Sequence, residues 1–116
     1  MTITRLQPGK RMSQAVRHGN TVYLAGQVAS DPNSTIEKQT AEVLAAIDKL
    51  LAEAGTSKSK VLSCQVILNN IGDFAAMNSV YDAWIDPANP PARACIEARL
   101  AAPALKVEII AVAALD

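Results

Sequence analysis

Two runs near the carboxy terminus alternate with a period of two, and they constrain the fold more than any other feature. In Pro90–Leu100, Ala94, Ile96, Ala98 and Leu100 alternate with Arg93, Cys95, Glu97 and Arg99. In Lys106–Leu115, Val107, Ile109, Ala111 and Ala113 alternate with Lys106, Glu108, Ile110 and Val112. Period two is the signature of β-strands with two unlike faces. The short connection predicts an antiparallel pair, with Arg93, Cys95 and Glu108 on one side of the sheet. That side carries Ile110 and Val112 beside its charges, so it is not an ordinary water-facing side. It is expected to pack against another subunit, where embedded charges are paired or used.

The rest of the chain reads as strand, strand, helix, strand, helix before those two strands. Ile3–Leu6 and Arg11–Arg17 are short strands, the second at a sheet edge, and His18-Gly19-Asn20 is a turn. Thr21–Val28 is one strand with Val22, Leu24 and Val28 facing one way; Gly26 inside it signals a bulge or a close backbone approach. Ser34-Thr35-Ile36-Glu37 has the form of a capping box with Ser34 as N-cap. The helix it opens carries Val43, Leu44, Ile47, Leu50 and Leu51 on one stripe and stops at Gly55. Val61–Asn69 is a strand whose apolar face is Leu62, Cys64, Val66 and Leu68. Asp73 caps a second helix running to about Ile85, with Phe74, Met77, Tyr81 and Trp84 as a core stripe. Pro87, Pro90 and Pro91 forbid its continuation.

With 116 residues the chain has room for one core, so residues 1–116 are read as a single domain. Hydrophobic residues make up 50% but aromatics only 3%, so Ala, Val, Leu and Ile must build the interior. Eleven basic residues balance eleven acidic ones, which gives no overall electrostatic case for nucleic acid or an anionic membrane. The two cysteines, Cys64 and Cys95, have neither disulfide nor zinc spacing. No leader and no apolar run of membrane-spanning length is apparent, so a cytoplasmic location is expected. The element order is α+β: a mostly antiparallel sheet with two helices on one face, whose other face needs a cover.

Read from chemistry alone, Arg93 can grip a carboxylate through two parallel hydrogen bonds, or form an internal ion pair with Glu97 or Glu108. Glu108, among Val107, Ile109 and Ile110, is expected to be partly desolvated and suited to proton transfer, or else to be a sheet-edge surface acid. Cys95 is a small apolar residue before it is a nucleophile, since the single histidine, His18, reads as a turn residue. Cys64 reads as core, and Lys106 and Arg99 as solvated strand-end charges.

Several stretches together resemble the RidA/YjgF family of enamine/imine deaminases. They are Pro91-Ala92-Arg93-Ala94-Cys95, Val107-Glu108-Ile109, Gly19-Asn20, Tyr23-Leu24-Ala25-Gly26-Gln27, the helix start Asp73-Phe74 through Met77-Asn78, and Tyr81. They fall in one consistent order over roughly residues 11–115. The resemblance implies a chorismate-mutase-like fold and a homotrimer with clefts between subunits. It implies hydrolytic deamination of 2-imino and 2-enamino acids to 2-oxo acids and ammonium, without metal or organic cofactor. In it, Arg93 binds the substrate carboxylate and Glu108 is the catalytic acid that positions or activates water. Cys95 and Gly26 frame the substrate through their backbone, and Asn78 ties helix to sheet or reaches the cleft. Two positions depart from the family pattern: Met12 stands where many members have a tyrosine, and Ala25 where many have a serine. A more apolar cleft and a different imine than 2-aminoacrylate are the expected consequences. The other reading is a non-catalytic trimer that binds small carboxylates or acts like a chaperone. RNA cleavage and chorismate mutase chemistry rank lower, for want of net positive charge and of a set of basic residues.

Overall fold

A computed structural model describes residues 1–116. The strands are β1 (Ile3–Pro8), β2 (Ser13–His18), β3 (Thr21–Leu24), β4 (Gln27–Val28), β5 (Val61–Leu68), β6 (Ala92–Glu97) and β7 (Val107–Ala114), and the helices are α1 (Ile36–Ala54) and α2 (Phe74–Trp84). They form one sheet in the order β1-β2-β3-β7-β5-β6, with β4 continuing the β3 side of β7. All pairings are antiparallel except β5 with β6. The molecule measures 42 × 37 × 20 Å, and its least dimension fits one helix layer on one sheet. One sheet face is therefore left uncovered.

β7 is the centre of the fold. Its alternation is satisfied as the sequence predicts: Val107, Ile109, Ala111 and Ala113 are all 0% exposed, while Glu108, Ile110 and Val112 are half-buried on the open face. The covered row packs under Val43, Leu44, Ile47 and Leu51 of α1 and Met77 and Tyr81 of α2. α1 ends at Gly55, whose φ of 91° lets its N–H and that of Thr56 close on Ala52 and Leu51.

The pairing of the last two strands differs from the expectation. β5 lies between β6 and β7, so β6 is an edge strand parallel to β5. A loop of nine residues, Ala98 to Lys106, can cross a strand as well as form a hairpin. Alternation reports two faces and is silent about the neighbour. Arg11–Arg17 likewise does not make an edge: β2 lies between β1 and β3.

Five local readings change too. The N-cap of α1 is Thr35, whose Oγ1 accepts the Lys38 N–H at 3.2 Å, while Ser34 Oγ donates to Asp31 O in the preceding turn. Thr21–Val28 is two strands: β3 pairs Tyr23 with Val112, but β4 pairs Val28 with Glu108, a slip of one residue at Ala25-Gly26. That bulge turns Val28 out, leaving it 38% exposed. An irregularity between Val61 and Ser63 turns Leu62 out as well, at 52% exposed. On α2, Met77 and Tyr81 are buried but Phe74 is 41% exposed and Trp84 half-buried. A 3₁₀ turn, Ile71–Asp73, precedes α2, so Asp73 makes no side-chain cap.

Candidate active site

The register places the predicted residues in two groups rather than one. Cys64 is the partner of both Arg93 and Ala111, and Val66 of both Cys95 and Ile109. Arg93 and Cys95 therefore face the helices. Ile67 is the partner of both Glu108 and Ile96, so Glu108 lies on the open face. The expectation of a shared side is overturned. Arg93 and Glu108 stand two strands apart and on opposite faces, roughly 10 Å across the sheet at about 4.8 Å per strand. A guanidinium can be accommodated under a helix because its stem is apolar and its plane stacks on rings.

The first group is built on the β6 edge and α2. Arg93 Nη1 donates to Asn78 Oδ1 at 2.7 Å. The guanidinium carbon lies 4.6 Å from the Tyr81 ring centroid and 5.8 Å from that of Phe74. Asn78, Tyr81 and Phe74 share one side of α2 at three- and four-residue spacing, so one helix supplies the whole cradle. The internal ion pair is not formed: the Glu97 carboxylate accepts the Ile71 N–H instead, and Glu108 is across the sheet. The Arg93 charge thus meets a neutral amide and aromatic faces, and it stays available to a further carboxylate.

The thiols beside it are held neutral. Burial pushes Cys64 up to about 11, against a smaller opposite pull from Arg93. Burial also raises Cys95, again countered by Arg93. Cys95 is half-buried with its side chain against the core, so only its backbone belongs to the edge. Cys64 is 2% exposed, as expected of core.

The second group is built on the bulge. A Cβ on Gly26 would fall on Glu108 Oε2 and lie 2.9 Å from its Cδ. The missing side chain is what lets the Glu108 carboxylate lie against the β3–β4 backbone. Gln27 Nε2 donates to Ala25 O at 3.0 Å and to Gln14 Oε1 at 3.1 Å, which ties the bulge to β2. Met12 is 49% exposed in the β1–β2 loop, one residue before β2, and not within a strand. It lies four strands from Arg93, roughly 19 Å at about 4.8 Å per strand.

Between the groups the open face is mixed: Ile110, Val112, Ala92 and Ala94, with the polar Ser63 and Gln65, line a concavity of about 410 Å³ bordered by Cys64 and Arg93. Ile96 and Tyr23 extend this surface at 44% and 50% exposure. The cradle residues Tyr81 and Phe74 were read as core only. Their spacing from Asn78 was visible, but no residue pattern says which helix face meets β6.

A two-layer α+β sheet protein with an arginine cradle at one edge and a carboxylate seated on a glycine bulge is the class that these features define. The chain belongs to the YjgF/RidA family: the family model described as Endoribonuclease L-PSP matches residues 2–115. It is 47% identical to a RutC family protein of Haemophilus influenzae, over 97% of this chain and 98% of that one. It is 41% identical to the RutC family protein YoaB of Escherichia coli, over 98% and 99%. The crystal structure of NMB1025, a YjgF family member from Neisseria meningitidis, superposes with a TM-score of 0.97 at 43% identity, covering 100% of this chain and 97% of that one. No helix is long and apolar enough to cross a membrane.

Proposed function

We propose that the protein hydrolyses 2-imino and 2-enamino acids to 2-oxo acids and ammonium, in clefts between the protomers of a homotrimer. The observation that carries this is the Arg93 cradle. A guanidinium oriented by Asn78, Tyr81 and Phe74, with no carboxylate of its own chain, suits the α-carboxylate of a small acid.

Glu108 cannot reach that carboxylate within one protomer, so the two groups act together only across a contact. The β6 edge of one copy would meet the bulge side of the next. These are unlike patches, and a heterologous contact whose rotation is a third of a turn closes as a ring of three. The uncovered face, with Ile96, Ile110, Val112 and Tyr23, supplies the apolar area for it.

In the cleft, Arg93 holds the α-carboxylate, and backbone at Cys95 and Gly26 frames the imine carbon. Glu108 takes a proton from water as the oxygen attacks that carbon. Glu108 hands that proton to the carbinolamine nitrogen, the C–N bond breaks, ammonia leaves, and the carbonyl forms as the hydroxyl proton passes back to Glu108 or to water. An imine carbon is already electrophilic, so general acid–base help and positioning suffice.

The test is to generate 2-imino acids with an amino-acid oxidase and follow their decay. Wild type should accelerate the loss, and Arg93→Ala and Glu108→Gln should each abolish most of it. Equal inactivity of wild type and both variants on small, aliphatic and aromatic imines rejects the reading. Met12 and Ala25, whose side chains can donate no hydrogen bond, favour as a second reading binding without turnover; 2-oxo-acid binding with no imine loss would select it.

A further inference from the structure

The formal neutrality of the chain conceals a segregation of charge. Residues 1–30 contain Arg5, Lys10, Arg11 and Arg17 and no acidic residue. The remaining chain has seven basic and eleven acidic residues, so a formal +4 faces a formal −4. Lys10 and Arg11 stand at the tip of the β1–β2 hairpin, exposed, where they line a concavity of about 650 Å³ with Gln7, Met12 and Gln14.

The tip is held in shape. Gly9 N–H donates to Met12 O at 2.8 Å. Gln7 adopts a left-handed φ of 49°, and its amide donates to both carboxylate oxygens of Glu53 on α1 at 2.9 and 3.1 Å. Gln14 belongs both to this concavity and to the Gln14–Gln27–Ala25 chain of hydrogen bonds that supports the bulge under Glu108. The basic tip and the proposed reacting centre are thus two ends of one polar shelf.

We infer that the β1–β2 tip is a second anion subsite, in which Lys10 and Arg11 take the distal carboxylate of a 2-imino dicarboxylic acid. This rests on the proposed deaminase reading and names its substrate class: the α-carboxylate goes to Arg93 of one copy and the ω-carboxylate to the hairpin of the next, since within one protomer the two lie four strands apart. Met12, exposed beside Lys10 and Arg11 in the same concavity, offers an apolar contact to the methylenes. Two cations without internal partners on a constrained turn provide charge-assisted hydrogen bonds to such a group.

The probes are 2-oxoglutarate and 2-oxopentanoate, equal in chain length and differing in the ω-carboxylate. Titration calorimetry should give wild type about a tenfold preference for the diacid, declining as salt is raised. In Lys10→Gln/Arg11→Gln the ratio should fall to within about threefold of unity. A wild-type ratio near unity, a ratio that the double variant leaves intact, or no binding of either acid overturns the subsite. So does a short single-stranded RNA that displaces 2-oxoglutarate and loses affinity in the same variant, since the tip would then serve a polyanion. Turnover of 2-iminoglutarate and 2-iminopentanoate separates the two levels. Diacid preference without imine loss rejects only the deaminase reading, and turnover of both imines at equal kcat/KM rejects only the subsite.

Discussion

The Arg93 guanidinium lies over Tyr81 with its central carbon 4.6 Å from the ring centroid, while Nη1 is fixed by Asn78. A cation held by a π-face is oriented without being neutralised, which distinguishes this arrangement from a salt bridge. Tyr81 is 6% exposed, so solvent competes little for the contact.

Removing the ring should therefore act on substrate binding. A cation–π contact of this kind is worth about 0.5–2 kcal/mol, or roughly 2- to 30-fold in affinity. Tyr81→Leu is expected to raise KM for imino acids by that factor with a smaller change in kcat, and Tyr81→Phe to restore it. Asn78→Ala should act in the same direction. Steady-state kinetics decide it: a kcat loss at constant KM would show that Tyr81 serves only packing.

Gly26 offers a separate handle on Glu108. An added Cβ meets the far end of a flexible side chain, so the protein can yield by rotating Glu108 away. Gly26→Ala should then lower stability by under about 1 kcal/mol, since no rigid core is overpacked. Activity should fall about a hundredfold, because general-base help of that size requires the carboxylate in place. Thermal melts beside kcat test both halves. A variant with normal kcat would remove Glu108 from the proton transfer.

The Cys64 thiol gives a pH dependence with a definite sign. Its folded value of about 11 exceeds that of an exposed thiol, near 8.5. Below about pH 8 both states keep the proton and the thiol contributes no pH dependence. Above that the unfolded chain ionises first and binds fewer protons, so stability falls as pH rises towards 11. The shift corresponds to roughly 2–3 kcal/mol by pH 11. Tyr81, raised chiefly by burial, adds a loss of the same sign at higher pH. Urea unfolding at pH 7, 9 and 10.5 should show this decline, and Cys64→Ala should flatten it. An unchanged slope in the variant would place the decline elsewhere.

How much could be read beforehand depended on what each signal reports. The β7 alternation and the α1 stripe were legible because burial there is complete on one side. Gly26 was legible because glycine within a strand has few other causes. The partner of β6 was not, since Ala94 and Ile96 look like a core row but face outward on an edge strand, at 44% exposure for Ile96. Arg93 was grouped with Glu108 on the mixed, subunit-facing side, although a long stem under an aromatic helix is an equally good place for it. Val28 and Leu62 were misplaced by single-residue slips, to which a period-two reading is blind until the register is known.

Gln39 is a polar residue of α1, yet it is 0% exposed. Its Nε2 reaches Pro32 O at 3.1 Å, Ser34 O at 3.2 Å and Ala104 O at 3.1 Å, so its two N–H groups serve three carbonyls. Its Oε1 accepts the Lys106 N–H at 2.9 Å. One side chain thus joins the loop before α1, the helix and the loop entering β7, two residues before Glu108. Leucine has a similar volume but would leave a buried N–H and several carbonyls unsatisfied, each costing about 1–3 kcal/mol. Some of that relaxes through water at the loop surface. Gln39→Leu is therefore expected to lose about 3 kcal/mol in equilibrium denaturation, with amide exchange accelerated first around Lys106. Glutamate should be worse, because a carboxylate would face three carbonyl oxygens. A loss below about 1 kcal/mol for leucine would mean that the loop entering β7 is fixed by packing, and that Glu108 owes its position to Gly26 alone.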